Sequence, residues 1–356
     1  MAKQRIISAE AQSKQEKIAP SSIRPRRLQD YVGQRDLIER ISITLQAVKQ
    51  RGEPMEHVLL HGPPGLGKTT MAHIIAAEMG TRAFTTSGPA LTRASDLVGT
   101  LTRLEANDVL FIDEIHRLPI AVEEYIYPAM EDFKIDVTVD SAHHAKTLTL
   151  QLKPFTLIGA TTRAGLLSSP LRNRFGISHH LNFYNEQELL EILQCATKSL
   201  NIEGVSESAL ALIAKRSRGT PRVTLRLLRR IRDFAQVRAN GQIDEQVVEA
   251  ALGLEGVDEL GLDQLDRAYI KTLRRIYDGG PAGLEAIAAS MGEDSGTLED
   301  VVEPYLLQIG FLARTRQGRR LTAAATTNKA YSAGIEPKQA LLADDEALFV
   351  DVPSSS

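Results

Sequence analysis

The chain has 356 residues, more than one hydrophobic core usually accommodates, so we expect two or three domains. Hydrophobic residues make up 43% and charged residues 24%, and 42 basic against 45 acidic side chains give a net charge of −3, which excludes collagen-like, coiled-coil and wholly disordered chains. A single cysteine, Cys195, excludes an internal disulfide, and the sequence contains neither a secretory signal nor a run of about 20 apolar residues, so we expect a cytoplasmic protein without membrane contact.

The hydrophobic pattern divides the chain into five segments. We expect a flexible arm at 1–22 and a disordered acidic tail at 335–356. Residues 23–184 alternate short apolar runs with helical stretches, residues 185–256 are helical, and residues 257–334 read as three helices and a hairpin. The predicted fold is therefore α/β: a parallel sheet with helices on both faces, then a small helical domain and a C-terminal winged-helix domain.

A glycine-rich loop at 62–69 carries the strongest motif, because it fits G-x-x-x-x-G-K-[ST] between a strand-like and a helix-like run. Its backbone N–H groups and the following helix N-terminus suit phosphate oxygens. Lys68 would neutralise the β- and γ-phosphates of ATP, and the Thr69 hydroxyl would bind Mg²⁺. The residues expected to contact the nucleotide here are Gly65, Gly67, Lys68, Thr69 and Thr70.

Two adjacent acids, Asp113 and Glu114, end the apolar run at 109–112. Alone, such a pair is as often merely solvated. Following a phosphate loop in this order, Asp113 is expected to hold Mg²⁺ through water and Glu114 to orient and polarise the attacking water. The pair favours hydrolysis of ATP over simple nucleotide binding.

Three later segments supply candidate sensing residues. Thr161 and Thr162 end a third strand and could contact the γ-phosphate, although threonines are also common turn formers. Arg172 and Arg174 suit an arginine finger donated to a neighbouring subunit, the alternative being a surface salt bridge. Arg222 lies in the first turn of a helix, from which it could reach a bound phosphate.

Together these motifs resemble the AAA+ ATPases, and they resemble the RuvB family more closely. The matching segments are 23–25, 30–34, 111–118, 159–165, 218–222 and 303–306. The resemblance extends over residues 23–334. It implies a motor that uses ATP and Mg²⁺ to drive Holliday junction branch migration in recombination and DNA repair. It also implies a homo-oligomeric ring, a hexamer, on double-stranded DNA, with RuvA as partner and RuvC in the resolving complex.

The resemblance also assigns residues. It places Ile23 and Arg24 beside the adenine, and it makes Arg174 the arginine finger, with Arg172 sharing the role, and Arg222 the second sensor. A hairpin at about 134–152 would dock RuvA. The other residues that it places near the nucleotide are Glu131, Asp132, Phe133 and Tyr184.

Arginines of the predicted hairpin indicate which substrate the protein binds. The resemblance makes Arg314, Arg316 and Arg319 the DNA contacts, although an arginine-rich hairpin tip can also be simply solvated. Contacts to phosphates carry no sequence information, which suits a motor that must pass any sequence. Two other classes share parts of this pattern. A clamp-loader-like switch would share the ATP site but lack the winged helix and the docking hairpin, and a winged-helix transcription regulator would need no ATP turnover.

Overall fold

The computed structural model of the chain describes residues 23–141 and 144–328. The expected arm and acidic tail lie outside these residues. The described residues belong to two compact units that divide between Gln264 and Leu265. No helix in the described part of the chain is long and apolar enough to cross a membrane.

The first unit contains seven of the described strands and nine of the described helices. In chain order the strands are β1 (Val58–His61), β2 (Ala83–Ser87), β3 (Val109–Asp113), β4 (Lys134–Ser141), β5 (His144–Gln151), β6 (Thr156–Thr161) and β7 (Ile177–His180). The helices are α1 (Arg35–Arg51), α2 (Lys68–Met79), α3 (Ala94–Leu101), α4 (Ile120–Glu131), α5 (Ser169–Arg172), α6 (Glu186–Ser199), α7 (Glu207–Lys215), α8 (Pro221–Arg238) and α9 (Glu245–Leu254).

Five strands form a parallel sheet in the order β2-β3-β6-β1-β7. Alternate residues of its central strands enter two different cores: Val58 and Leu60 pack with α1 and α2, whereas Leu59 packs with α3 and α4. The sheet is therefore covered by helices on both faces, as predicted. Because all five strands are parallel, their carboxyl ends lie at one edge, where open α/β sheets bind ligands.

Helices α6 to α9 follow the sheet and bury their apolar faces in the same core as α1 and α2. Asn185 begins α6 with a capping box: its side chain accepts a hydrogen bond from the Glu188 N–H at 2.8 Å, and the Glu188 carboxylate accepts one from the Asn185 N–H at 3.0 Å. This helical region corresponds to the predicted small domain. The predicted domain boundaries at 184 and 256 stay predictions.

Strands β4 and β5 form a separate antiparallel pair, from Lys134 opposite Gln151 to Ser141 opposite His144. A hydrogen bond of 2.7 Å from the Leu152 N–H to the Phe133 carbonyl closes its base. The hairpin expected at 134–152 is thus a two-stranded element outside the main sheet.

The second unit contains helices followed by a short hairpin. Its elements are α10 (Gln264–Ile276, which begins at the last residue of the first unit), α11 (Leu284–Met291), α12 (Ser295–Thr297), a π-helical turn (Leu298–Val302), α13 (Glu303–Gln308), β8 (Leu312–Thr315), β9 (Gly318–Leu321) and α14 (Ala323–Thr327). Pro304 has no N–H to donate and its ring crowds the preceding turn, which accounts for the wide π turn before α13. Helices with a following hairpin are the predicted winged-helix arrangement.

Candidate functional site

A cavity of about 1160 Å³ opens where the carboxyl ends of β1 and β3 meet the start of α2. It brings together candidate residues that are distant in sequence. The predicted residues that line it are Ile23, Arg24, Gly65, Gly67, Lys68, Thr69, Thr70, Asp113, Glu114, Thr162, Tyr184 and Arg222. Among the further lining residues are Tyr31, Ile192, Cys195, Ser199, Arg226 and Arg229.

Two buried tyrosines hold the glycine-rich loop in place through its backbone. The hydroxyls of Tyr31 and Tyr184 each donate to the Leu66 carbonyl at 3.3 Å, and they contact each other at 3.1 Å. Burial raises the pKa of both, that of Tyr184 to about 12, so both stay protonated donors. Gly67 has φ +98°, and a Cβ there would lie 2.5 Å from the Tyr31 hydroxyl. The loop therefore needs glycine at this position.

Lys68 begins α2 with its ammonium group buried beneath the loop. Its Nζ donates to the Gly62 carbonyl at 2.7 Å and to the Pro63 carbonyl at 2.8 Å. Burial lowers the pKa of Lys68 to about 8, against the opposing influence of Asp113 and Glu114. A buried ammonium bonded only to carbonyl groups gains a favourable charge partner when a phosphate enters the cavity.

The two acids at the end of β3 have different backbone conformations. Asp113 is the last residue of the strand, and Glu114 follows with φ +50°, a left-handed conformation that is costly for a residue with a side chain. The Glu114 N–H donates to the Asp113 carboxylate at 3.0 Å. Together with the Thr69 hydroxyl and the Lys68 ammonium, this donor set fits a nucleotide with a magnesium ion.

His116 connects the end of β6 to Glu114. The Thr161 hydroxyl accepts a hydrogen bond from the Arg163 N–H at 2.9 Å and lies 2.8 Å from His116 Nδ1. The other ring nitrogen of His116, Nε2, lies 3.5 Å from the Glu114 carboxylate. Thr161 is fully buried and does not line the cavity, whereas Thr162 does.

Arginines of α8 face the cavity from the helical region. The Arg222 N–H donates to the Gly65 carbonyl at 3.3 Å, and the Tyr184 N–H donates to the Gly219 carbonyl at 2.9 Å. The start of α8 is therefore tied to both the loop and the segment that leaves the sheet. Arg226 and Arg229 follow Arg222 at helical spacing on the same face.

Several predicted residues lie outside the cavity lining of their own chain. Arg174 donates to the Pro170 carbonyl at 2.8 Å, pairs with Glu131 at 3.2 Å and stacks over the Tyr127 ring at 4.4 Å. Phe133 packs edge-on against Phe155, with 5.9 Å between ring centroids. The others outside the lining are Thr161, Glu131, Asp132 and Arg172, of which Glu131, Asp132 and Arg172 are exposed.

The predicted DNA contacts lie on the hairpin of the second unit. Arg314 and Arg319 are opposite each other on β8 and β9, and both pair with the buried Glu303. Arg316 lies in the turn between the strands and is exposed. In the sequence, Glu303 belongs only to the matching segment 303–306, which predicts no role for it.

Three family models match consecutive parts of the chain. The Holliday junction DNA helicase RuvB P-loop domain matches residues 23–181, the RuvB AAA lid domain 184–258, and the RuvB C-terminal winged helix domain 259–328. The chain belongs to the RuvB family. It is accordingly an AAA+ P-loop ATPase and a Holliday junction branch-migration motor.

Solved structures of RuvB agree with this assignment. The chain is similar to the RuvB Holliday junction branch migration motor of Thermotoga maritima, with 49% identity over 87% of this chain and 99% of that one, and a TM-score of 0.80. A single-residue mutant of the same RuvB matches with 49% identity over 87% of this chain and 100% of that one, with a TM-score of 0.81. A P-loop domain of this family binds a nucleotide, typically with a divalent metal ion.

Proposed function

We propose that the cavity is the ATP site of this RuvB motor and that hydrolysis there moves duplex DNA through a hexameric ring. The observation that carries the proposal is the convergence of Lys68, Thr69, Asp113 and Glu114 on one cavity at the carboxyl edge of the sheet. These residues come from separate segments and supply phosphate, metal and water contacts in one place.

Each residue has a distinct part in hydrolysis. Lys68 binds the β- and γ-phosphates, while Thr69 and Asp113 hold Mg²⁺, which when bound neutralises phosphate charge. Glu114 orients the attacking water and accepts its proton. The contact between His116 and Glu114 links that carboxylate to Thr161 on β6, which supports a role for this strand end in sensing the γ-phosphate.

Two features support an ATP site shared between subunits. Arg174 lies outside the cavity of its own chain and is braced by the Tyr127 ring and Glu131. A braced arginine on a loop suits transfer of its charge to the nucleotide of a neighbouring subunit, with the exposed Arg172 beside it. In the ring, Glu131, Asp132 and Phe133 then approach that same nucleotide from the neighbouring chain.

The nucleotide also joins the sheet to the helical region. Tyr184 and Arg222 line the cavity from the segments that lead into α6 and α8, so hydrolysis can change how α6 to α9 lie against the sheet. The winged-helix domain transmits this motion to DNA through backbone contacts of Arg314, Arg316 and Arg319. RuvA, docked on the hairpin at 134–152, directs the ring to the junction, and RuvC then resolves it.

The family assignment argues against both other classes, and one assay separates all three. A clamp-loader-like switch or a sequence-specific regulator would not take a four-way junction apart. The test is ATP-dependent separation of a synthetic junction in the presence of RuvA, with Lys68→Ala as the inactive comparison.

A further inference from the structure

Two arginines at opposing positions of the winged-helix hairpin share one buried carboxylate. Arg314 on β8 and Arg319 on β9 are direct partners in the antiparallel register, where two like charges repel each other. The side chain of Glu303, at the start of α13, is fully buried beneath them. Arg314 Nε donates to Glu303 Oε2 at 2.7 Å, and Arg319 Nε donates to Oε1 at 2.9 Å.

Further contacts complete this group of charges. Arg314 Nη2 lies 2.6 Å from Glu303 Oε2, and the Tyr269 hydroxyl donates to Glu303 Oε1 at 2.8 Å. Glu299 lies farther away, 3.5 Å from Arg319 Nη2 and 3.9 Å from Arg314 Nη2. Burial raises the pKa of Tyr269, which therefore acts as a neutral donor. We call Tyr269, Glu299, Glu303, Arg314 and Arg319 the wing cluster.

The carboxylates occupy only one edge of each guanidinium group. Nε and Nη2 of both arginines face Glu303 and Glu299, whereas neither Nη1 group makes a hydrogen bond or ion pair within the described residues. The Arg314 side chain is 43% exposed and that of Arg319 is 19% exposed, so solvent reaches both. The second edge of each planar group remains available for an anion.

The backbone beneath Arg319 is fixed as well. Its N–H donates to the Ala282 carbonyl at 2.8 Å, and its carbonyl accepts from the Ala282 N–H at 2.9 Å. An arginine held at both backbone and guanidinium has already lost the side-chain freedom that a mobile arginine loses on binding phosphate. The wing cluster is thus prepared for its ligand before DNA arrives.

We propose that Glu303 is a positioning residue for DNA binding, which holds Arg314 and Arg319 so that their Nη1 edges bind neighbouring phosphate oxygens of the DNA backbone. The inference rests on the proposed DNA contact of the wing. It adds that a buried negative charge strengthens the binding of a negatively charged ligand, because it orients the two groups that make the contact.

If Glu303 acted only through its charge, its removal would change the affinity for DNA in the opposite direction. Neutralising Glu303 makes the wing more positive, which by charge alone increases affinity for DNA. Glu299 provides a matched control, because Glu299→Gln removes the same charge from the same cluster but leaves the short hydrogen bonds to Glu303 in place. The two substitutions separate orientation from charge.

The experiment measures binding of the full chain to a labelled duplex of arbitrary sequence by fluorescence anisotropy, at several salt concentrations. Glu303→Gln should weaken binding roughly tenfold, the loss typical of charge-assisted hydrogen bonds. Glu299→Gln should bind as tightly as wild type or more tightly. The inference is overturned if Glu303→Gln binds DNA as tightly as Glu299→Gln.

Two further variants guard against a folding defect in Glu303→Gln. Glu303→Asp keeps the charge but withdraws the carboxylate by one methylene group, and it should also weaken binding; wild-type affinity in a folded Glu303→Asp variant contradicts the inference. ATP hydrolysis without DNA, which depends on the other unit, should be unchanged in both variants.

A double-mutant cycle with both arginines tests separately whether the arginines contact DNA and whether Glu303 positions them. In the background Arg314→Ala with Arg319→Ala, Glu303→Gln should have no further effect on affinity, and the salt slope of the background itself should fall by about 2. If this arginine variant binds DNA like wild type, the proposed DNA contact of these arginines is wrong. If it loses affinity while Glu303→Gln does not, the positioning role alone is wrong.

Discussion

A single methyl group added at Gly88 should impair ATP hydrolysis and leave ATP binding nearly intact. This glycine begins a short 3-10 turn after β2, and a Cβ at this position would lie 2.4 Å from the Glu114 carbonyl oxygen and 3.2 Å from backbone atoms of Arg117 and Leu118. Ordinary contact begins at 3.4 Å, so Gly88→Ala must separate the Gly88 turn from the Glu114 backbone by about 1 Å, which displaces Glu114 if that side gives way. A displacement of that size at a reacting group costs about 10²-fold in rate.

The assay compares kcat for ATP hydrolysis with the affinity for a fluorescent nucleotide. Gly88→Ala should lower kcat about 10²-fold, with the nucleotide affinity nearly unchanged because the phosphate loop is untouched, and should lower the free energy of unfolding by about 1–3 kcal/mol. Glu114→Gln is the benchmark: it should bind ATP and not hydrolyse it. Gly99→Ala is the matched control, because the Cβ there meets nothing within 4 Å. Wild-type kcat in a folded Gly88→Ala variant would refute the role of the Glu114 position.

Two other predictions concern the neighbouring subunit and the stability of the sheet. Arg174→Ala should lower ATP hydrolysis by about 10³-fold or more, and mixing it with Lys68→Ala should restore activity, because a mixed ring pairs an intact site with an intact arginine; no recovery on mixing would contradict action between subunits. Asp108→Asn should lower the free energy of unfolding at pH 7 by about 1–3 kcal/mol, since the buried carboxylate accepts from the Glu105 N–H at 2.8 Å and from Arg82 at 2.9 Å. Burial alone would raise the pKa of Asp108, but these hydrogen bonds lower it. The difference in free energy of unfolding between Asp108→Asn and wild type, measured by urea unfolding, should therefore disappear as pH falls below about 3.9 and through the depressed pKa. A difference that persists in acid would contradict the stabilising role of this carboxylate.

The central strands could be predicted from the sequence because both of their faces are buried. β1 and β3 are apolar up to their last residue, and β6 has an apolar centre at Leu157 and Ile158, which is the pattern of interior parallel strands. The sequence does not predict the edge strands β2 and β7. Polar residues interrupt both: Thr85 and Thr86 in β2, and His179 and His180 in β7, so these segments resemble loops. Their place depends on pairing with β3 and β1, which is a tertiary property.

The site was predictable where a motif carries it and not where packing does. Lys68, Asp113 and Glu114 follow fixed motifs, and the fold brings them to one cavity. Tyr31 and His116 act through contacts with Leu66 and Thr161 that no spacing in the sequence reveals. Glu303 is likewise one acid among several in a helical stretch until the hairpin places two arginines over it.

The most direct test of the account follows a synthetic four-way junction, with ATP and a cognate RuvA, as it separates into duplexes. Wild type should separate the junction only when ATP is present, and Lys68→Ala should leave it intact while remaining folded. Separation by Lys68→Ala, or an intact junction in the presence of a wild-type chain that hydrolyses ATP, would contradict the claim that hydrolysis in this cavity drives branch migration.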